Sequence, residues 1–379
     1  MKKVALAIAY FNTSGEYRRE MLRIANALVE QGCEVVIYCL KWSAPQPDPR
    51  IKVVQFRPKW DLGFCSTLWF FARKLQESLE KDKVDCSVAF SRVPGCDFYF
   101  AYDNPAAETF HRAKGFWKYF MLGKQSALRL EDAIFNEESN TKIFHLSDFQ
   151  KKRYINWYET QNERFILLPP GIPHELKDQS QREEKRDSFR KKQHIEDDEI
   201  VLLMRGTGFR ATGIDRGIAA FASIPKEYRK MCKLVICAHG EIEVMRKLAD
   251  ELGVSKYLLF LNPDKHDIYS VVAGSDLMIH MPRQLSADSA PLEAIVSGVP
   301  VIGVEDYIYA SHIESSGGVL VTYPFERKTF ARVLCMVIST PEKLEEMKRE
   351  ASAYGEQADF YHRVEVVVKH IMEFGQNNG

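Results

Sequence analysis

The stretch HMPRQLSADSAPLEAIVSGVPVIG, residues 280–303, decides the fold. It predicts the end of a strand, a loop, a helix, a turn and the next strand. The flanking apolar runs, LMIH (277–280) and PVIGV (300–304), are short and continuous, as in strands that are buried on both faces. Such a strand–helix–strand unit pairs its strands in parallel. Its loop therefore lies at the carboxyl end of the sheet, where ligands bind.

Short apolar runs that alternate with helix-like stretches continue on both sides of this unit. Further strands of the C-terminal half are predicted at 199–206, 233–239, 258–262 and 318–323. Those of the N-terminal half are predicted at 4–11, 34–40, 51–56, 85–91, 98–103, 141–148 and 164–170. The alternation favours an α/β protein with two doubly wound parallel sheets.

A change of composition separates the two halves. Pro169 to Pro173 form a predicted hinge, and the mostly polar run 174–198 after it is expected to be a solvated helix. We predict a first domain at 1–170, a second domain at 171–355, and a helical segment at 356–379 that crosses back to the first. Two such halves with a hinge imply a ligand-binding cleft.

The charge and cysteine content exclude several classes of protein. Lys plus Arg and Asp plus Glu both number 52, which argues against a general nucleic-acid binder. No apolar run approaches the ~18 residues that a membrane span requires. The run 4–11 is interpreted as a first strand rather than a signal peptide. The eight cysteines are scattered, which predicts reduced core thiols in a cytoplasmic protein.

Several stretches resemble the GT-B glycosyltransferases of family 4, and within them the type that acts on lipopolysaccharide core. They are RREMLRIANAL (18–28), PGCDFYFAYD (94–103), ERFILLPPGI (163–172), RGTGFRATGIDRGI (205–218) and HMPRQLSADSAPLEAIVSGVPVI (280–302). The resemblance covers nearly the whole chain. It implies the GT-B fold, in which two Rossmann-like domains face across a cleft, with the acceptor on the first and the nucleotide sugar on the second. It also implies retaining transfer of a hexose without a metal, with no cofactor besides the donor substrate.

The departing diphosphate of such a reaction requires positive charge and backbone N–H groups. Where the family has Arg-Lys-Gly, this chain has Ala211, Thr212 and Gly213, so both cations are missing. Thr212 retains a hydroxyl that suits a helix cap, and Arg205 or Arg210 is a candidate replacement cation. From the resemblance we expect the donor to contact Gly15, Thr207, Arg210, Thr212, Gly213, Lys265 and Glu293.

Further departures concern the carboxylates and the glycine loops. The family's E-x7-E pair becomes Leu285 and Glu293, so Glu293 remains for the ribose and Leu285 offers no acceptor to the sugar. Asp288 is interpreted as a turn or helix cap before Pro291; the alternative is partial compensation for the missing carboxylate. Glu16 and His239 stand where glycine is usual. Two alternatives stay open: a transferase with an altered donor site, or a non-catalytic binding or scaffold protein that recruits an active partner protein.

The acceptor side of the predicted cleft has one candidate catalytic residue. Asp103 follows the strand FYFAY and matches a family position near the acceptor; the alternative is a strand-end cap. His145 is expected to pack within its strand. No histidines show the spacing of a metal site.

The segment 111–130 combines basic and aromatic residues and contains no acid. Lys114, Trp117, Lys118 and Lys124 are its candidate membrane-contacting residues, because basic and aromatic side chains favour an anionic bilayer surface. The alternative is a helix whose aromatic residues pack on the sheet. The expected partners are thus a UDP-sugar, a glycolipid acceptor and the inner face of the cytoplasmic membrane, on which the protein would be peripheral.

Overall fold

The computed structural model describes residues 1–12, 16–58, 63–112, 122–206, 208–209, 211–240, 242–283, 287–322 and 324–375. It divides into two compact units. The first comprises Met1–Pro169 together with His362–Gly379, and the second comprises Pro170–Tyr361. Each unit is built on its own parallel sheet.

The first unit has a seven-stranded sheet in the order β5-β3-β1-β6-β7-β8-β9, with every neighbouring pair parallel. The strands of the first unit are β1 Lys3–Ala7, β2 Tyr10–Asn12, β3 Glu34–Cys39, β4 Lys41–Ser43, β5 Ile51–Gln55, β6 Cys86–Ala89, β7 Phe98–Phe100, β8 Lys142–His145 and β9 Phe165–Leu167. Of these, β2 and β4 lie outside the seven-stranded sheet. The helices of this unit are α1 Glu16–Glu30, α2 Gly63–Asp82, α3 Ala106–Arg112, α4 Leu122–Phe135 and α5 Asp148–Tyr158. The core between sheet and helices is aromatic-rich; for example, Phe135 stacks on Tyr154 with centroids 4.1 Å apart.

The predicted first strand, 4–11, is wrong as a single strand. β1 ends at Ala7, and β2 pairs instead with β4 in a separate two-stranded sheet. Ala9 lies in the segment between β1 and β2, and its N–H donates to Ser91 Oγ at 2.9 Å. In β2, Phe11 stacks on Trp42 of β4 with ring centroids 4.0 Å apart. A continuous apolar run does not reveal such a change of partner, because apolar residues are expected at these positions whichever strand they pair with.

The second unit has a six-stranded parallel sheet in the order β12-β11-β10-β13-β14-β15. Its strands are β10 Ile200–Gly206, β11 Cys232–Ala238, β12 Leu258–Leu261, β13 Leu277–Ile279, β14 Val301–Val304 and β15 Val319–Val321. Its helices are α6 Arg182–Lys192, α7 Ile214–Ala222, α8 Lys226–Arg229, α9 Ile242–Glu251, α10 Ile268–Ala273, α11 Ala290–Val296, α12 Ala310–Ser315, α13 Arg327–Ile338 and α14 Pro341–Gln357.

The charged run after the hinge is not one solvated helix. It contains a 3₁₀ turn at His174–Lys177 and then α6, in which Phe189 and Arg190 are buried. Arg190 Nη1 lies 3.2 Å from Asp276 Oδ2, and Arg186 Nη2 lies 2.9 Å from Asp276 Oδ1. The prediction failed because a polar helix can still dock through a single aromatic residue and paired cations.

The helical C-terminal stretch is two helices, α14 and then α15 Arg363–Glu373. α15 belongs to the first unit: Arg363 is 1% exposed and its Nε donates to Pro169 O at 2.8 Å, while Lys2 Nζ donates to Ile371 O at 2.7 Å. Among the described helices, none combines the length and the apolarity that a bilayer crossing requires.

Candidate active site

The sheet of the second unit reverses its winding between β10 and β13. β11 lies on one side of β10 and β13 on the other, which makes this the topological switch point where α/β sheets bind ligands. The pairing of β10 with β13 covers Leu202 and Leu203. Arg205 and Gly206, at the end of β10, therefore lie beyond that paired stretch at the open carboxyl edge.

The loop after β10 packs tightly on the segment that follows β13. Gly213 has φ +72°, and a Cβ there would stand 1.8 Å from Met281 O. Arg283 N donates to Ala211 O at 2.9 Å, which ties the two segments together. Glycine is thus required at 213 both by backbone conformation and by close approach.

Thr212 is buried, and its hydroxyl donates to Gly208 O at 2.7 Å. Helix α7 begins at Ile214, with Gly213 as its N-cap residue. The predicted capping role of Thr212 is therefore wrong, because Gly213 occupies the N-cap position and no side chain of the described residues caps this helix start. Ala211 is exposed and brings no charge. Contact of Thr212 and Gly213 with a donor stays a prediction.

Glu293 is held by two polar partners at this edge. Its Oε2 accepts from Arg205 Nη1 at 2.7 Å, and its Oε1 accepts from Ser289 Oγ at 2.7 Å. The side chains of Arg205 and Glu293 are only 15% and 8% exposed. The pair is consequently a nearly buried ion pair, of the kind that strongly resists loss of either partner.

Strand alternation explains why Arg205 reaches Glu293. A Cβ on Gly217 of α7 would stand 2.2 Å from Met204 Sδ, so Met204 faces α7. Side chains of consecutive strand residues point to opposite faces, and Arg205 therefore points to the face that α11 covers. Burial opposes the charge of Arg205, but Glu293 and then Asp288 outweigh it, so the pKa of Arg205 is raised above its ordinary value.

A second ion pair joins the segment after β13 to α7: Arg283 Nη2 donates to Asp215 Oδ2. Deeper in the edge, His280 is 1% exposed and lies against Tyr307, with ring centroids 4.7 Å apart. Burial lowers the pKa of His280 to about 3, so its ring is neutral. Its Nε2 has no hydrogen-bond partner within the described part of the chain.

The remaining described candidates follow other strands of this sheet. Lys265 is exposed in a 3₁₀ turn, Pro263–Lys265, after the edge strand β12. His239 Nδ1 lies 3.7 Å from Asp264 Oδ2, with both side chains largely in solvent. Asp288 Oδ1 accepts from Ala290 N at 3.0 Å, which confirms its interpretation as a turn residue before α11.

Several predicted residues lie outside the described part of the chain. They are Gly15, Thr207, Arg210 and Leu285 of the donor site, and Lys114, Trp117 and Lys118 of the membrane segment. The side chains of Glu16 and Lys124 also lie outside it. These assignments stay predictions.

In the first unit, Asp103 has a largely exposed carboxylate whose Oδ2 lies 3.5 Å from Arg92 Nη2. Its main-chain oxygen accepts from Gln150 Nε2 at 3.0 Å and from Tyr154 Oη at 3.1 Å. The structure thus fixes the backbone of this loop and leaves the carboxylate accessible. His145 is buried at the end of β8, as expected, and burial lowers its pKa.

Sequence reasoning missed the buried polar network beneath Asp103. Glu131, which is 0% exposed, accepts from Arg92 Nε at 3.0 Å, from Ala106 N at 2.7 Å and from Tyr158 Oη at 2.5 Å. Burial raises the pKa of Glu131. One signal was available: Arg92 lies three residues after the end of β6, the strand beside β1 at the switch point of this sheet. Among the described residues, no cluster of His, Cys, Asp or Glu suits a metal ion.

Comparison with known families accounts for both units. Residues 185–354 match the family described as "Glycosyl transferases group 1", and residues 19–176 match "Glycosyltransferase Family 4". These matches, together with two doubly wound parallel sheets, define the class: the chain belongs to the GT-B glycosyltransferases, and the predicted fold class is confirmed.

Individual relatives sharpen this assignment. The chain is 28% identical over 359 residues to the lipopolysaccharide glucosyltransferase WaaG of Escherichia coli K12, covering 94% of this chain and 95% of that one. The crystal structure of WaaG, a glycosyltransferase involved in lipopolysaccharide biosynthesis, matches with a TM-score of 0.87 over 97% of this chain and 99% of that one. Anabaena HepE in complex with UDP matches with a TM-score of 0.72 over 98% and 99%, but at 16% identity it supports the fold alone.

Proposed function

We propose that this protein transfers a hexosyl group, with retention, from a nucleoside diphosphate sugar to lipopolysaccharide core or a similar glycolipid. The observation that carries this proposal is the likeness to WaaG over almost the full length of both chains. Both the donor-side and acceptor-side units fall within that match, so the likeness is not confined to a common nucleotide-binding fold.

The reaction sets definite demands on the second unit. The bond between the anomeric carbon and the phosphate oxygen breaks, the diphosphate leaves with the bonding electrons, and an acceptor hydroxyl oxygen bonds to the anomeric carbon. Developing charge on the diphosphate must meet preorganised donors. The described loop residues 208–209 and 211–213 and the end of β10, at the switch point, are suited to that task.

The acceptor hydroxyl must lose its proton during transfer. We assign the positioning of this hydroxyl to Asp103, whose carboxylate is accessible. Gln150 and Tyr154 fix the loop by donating hydrogen bonds to the main-chain oxygen of Asp103. Because those two bonds do not use the side chain, Asp103→Asn should leave the loop in place. This substitution therefore separates the carboxylate's chemical role from its structural surroundings.

The test is a transfer assay with UDP-glucose and lipopolysaccharide core acceptor, in which mass spectrometry measures the gain of one hexosyl residue and NMR gives its anomeric configuration. We expect a retained anomer, and a turnover about 100-fold lower in Asp103→Asn. Asp132→Asn, an exposed aspartate of the same unit, is the matched control and should keep full turnover. An inverted anomer would contradict the proposal.

A non-catalytic binding or scaffold protein is the second candidate. The observation in its favour is the lack of charge at Ala211 and Thr212. It predicts UDP binding in calorimetry without transfer to acceptor or water from any of several UDP-hexoses. Transfer from one of them would exclude it.

We further propose that the protein is peripheral at the inner face of the cytoplasmic membrane through residues 111–130, with Lys114, Trp117, Lys118 and Lys124 in contact with lipid. A glycolipid acceptor requires access to a bilayer surface. The basic and aromatic composition of this segment, with no acid in it, supports the proposal.

A further inference from the structure

The donor edge of the second unit lacks the two cations that the family supplies at 211 and 212. Ala211 has no charge, and the Thr212 hydroxyl is engaged with Gly208 O at 2.7 Å. A diphosphate at this edge would still require positive charge. The described cations near this edge are therefore the candidates for supplying that charge.

Three other described cations near this edge are poorly placed. Arg283 is paired with Asp215. The guanidinium of Arg216 lies over the Phe325 ring, 5.0 Å from its centroid. Lys265 follows β12, two strands away from β10, which is about 10 Å at the usual strand spacing.

Arg205 is the cation at the switch point itself. It stands at the end of β10, beyond the part of that strand that pairs with β13. Among the described residues its hydrogen bond is the one from Nη1 to Glu293 Oε2. Its guanidinium carries five N–H donors in a planar fork, so Nε and Nη2 are available to an anion, and such a fork suits phosphate oxygens.

Glu293 is placed to hold that guanidinium, and at 8% side-chain exposure it presents little surface to a ribose. Both of its oxygens already accept a hydrogen bond, from Arg205 and from Ser289. At 8% side-chain exposure it would be costly to leave unpaired if Arg205 moved away. The pair is therefore a fixed feature of the edge.

We infer that Arg205 replaces the missing cations as the ligand of the donor diphosphate, and that Glu293 is its positioning residue rather than the ribose acceptor. The identity of the anion as a nucleotide diphosphate rests on the proposed function. The placement of a phosphate-binding cation at residue 205 rests on the strand end, the ion pair and the absence of charge at 211 and 212.

The experiment is isothermal titration of the full chain with UDP, uridine and inorganic pyrophosphate. We expect Arg205→Gln to weaken UDP and pyrophosphate about 10- to 100-fold, the effect of losing charge-assisted hydrogen bonds, and to leave uridine unchanged. Glu293→Gln should weaken the same two ligands and spare uridine. Arg246→Gln, an exposed arginine on α9, is the matched control and should bind all three as the parent chain does.

Each result separates the inference from the proposed function. UDP binding that Arg205→Gln leaves unchanged overturns the role of Arg205 and leaves the function standing. Weaker uridine binding in Glu293→Gln restores Glu293 as a ribose acceptor and overturns its positioning role. Pyrophosphate binding that depends on Arg205, without UDP binding, supports the inference and removes the nucleotide donor. A parent chain that binds neither anion overturns both.

If Arg205→Gln fails to fold by circular dichroism, Arg205→Lys, which keeps the charge beside Glu293 but loses the fork, is titrated in its place, and unchanged pyrophosphate affinity would count against the inference.

Discussion

At the scale of single residues, Gly213 sets the path of the loop that follows β10 at the candidate donor site. Its φ of +72° is disfavoured for other residues, and a Cβ would stand 1.8 Å from Met281 O. A side chain at 213 must therefore push the 208–213 loop away from the segment after β13. A residue with a side chain at 213 would be strained by the backbone conformation itself and by the approach of the Met281 carbonyl.

Gly213→Ala should destabilise the second unit by about 1–3 kcal/mol from backbone strain, with the Met281 contact adding to it. All five tryptophans lie within residues 42–157, in the first unit, so their fluorescence does not report this change directly. Hydrogen exchange of β10 and α7 amides is the suitable measurement. Gly208→Ala is the control, because a Cβ there meets nothing within 4 Å. Equal protection in the two variants would argue against a requirement for glycine at 213.

At the scale of secondary-structure elements, Asp276 joins three of them, β10, α6 and α14, at the amino-terminal edge of the second sheet. Its carboxylate accepts from Val201 N of β10 at 2.8 Å. Arg190 and Arg186 of α6 lie 3.2 and 2.9 Å from it, and Lys348 Nζ of α14 lies 3.0 Å from it. Burial opposes the charge, but Lys348 and Arg186 outweigh it, so the pKa of Asp276 is lowered.

Asp276→Ala should cost about 3–5 kcal/mol, because it removes the carboxylate partner of the buried Arg190 and of the partly buried Arg186 and Lys348. Glu346→Gln, which removes an exposed ion pair with Lys343, should cost less than about 1 kcal/mol. Chemical unfolding followed by hydrogen exchange of the second unit would compare the two. A similar cost for both would show that Asp276 is not an organising residue.

The same carboxylate gives the stability a pH dependence of definite sign. Its folded-state pKa is depressed, so the stabilisation is fully present above the unfolded value of about 3.9 and is lost as pH falls through the folded pKa. Asp276→Asn should therefore flatten the loss of stability of the second unit below about pH 4. An acid limb as steep as that of the parent chain would contradict this.

At the scale of the whole molecule, charge is balanced overall and unbalanced locally. Lys plus Arg equals Asp plus Glu at 52 each, so long-range attraction to an anionic bilayer is not expected from net charge. The segment 111–130 is basic throughout, and any attraction should depend on it.

Changing Lys114, Lys118 and Lys124 to Glu should reduce binding to phosphatidylglycerol-containing vesicles on the order of 100-fold, at about 1 kcal/mol for each lysine. Liposome flotation measures this, and added salt should weaken binding of the parent chain. Lys226, Lys230 and Lys247, exposed in the second unit, changed together to Glu make the matched control with the same net charge. Flotation of the segment variant at the parent level would refute membrane contact through these lysines.

The α/β class, the two doubly wound sheets and the family could be predicted from the sequence alone. Apolar runs, glycine turns and short motifs are local features, which can be recognised without knowing any tertiary contact. The sequence also placed Gly213 in the turn before a helix and Glu293 on the helix that follows a strand and loop. It did not separate β2 from β1, nor the docked face of α6 from a solvated one. Only the tertiary structure decided that Arg205 meets Glu293, 88 residues away, and that Asp276 gathers cations from two helices. These pairings depend on which strand ends and helices are neighbours across a sheet, and strand order is a non-local property that residue patterns do not encode one by one.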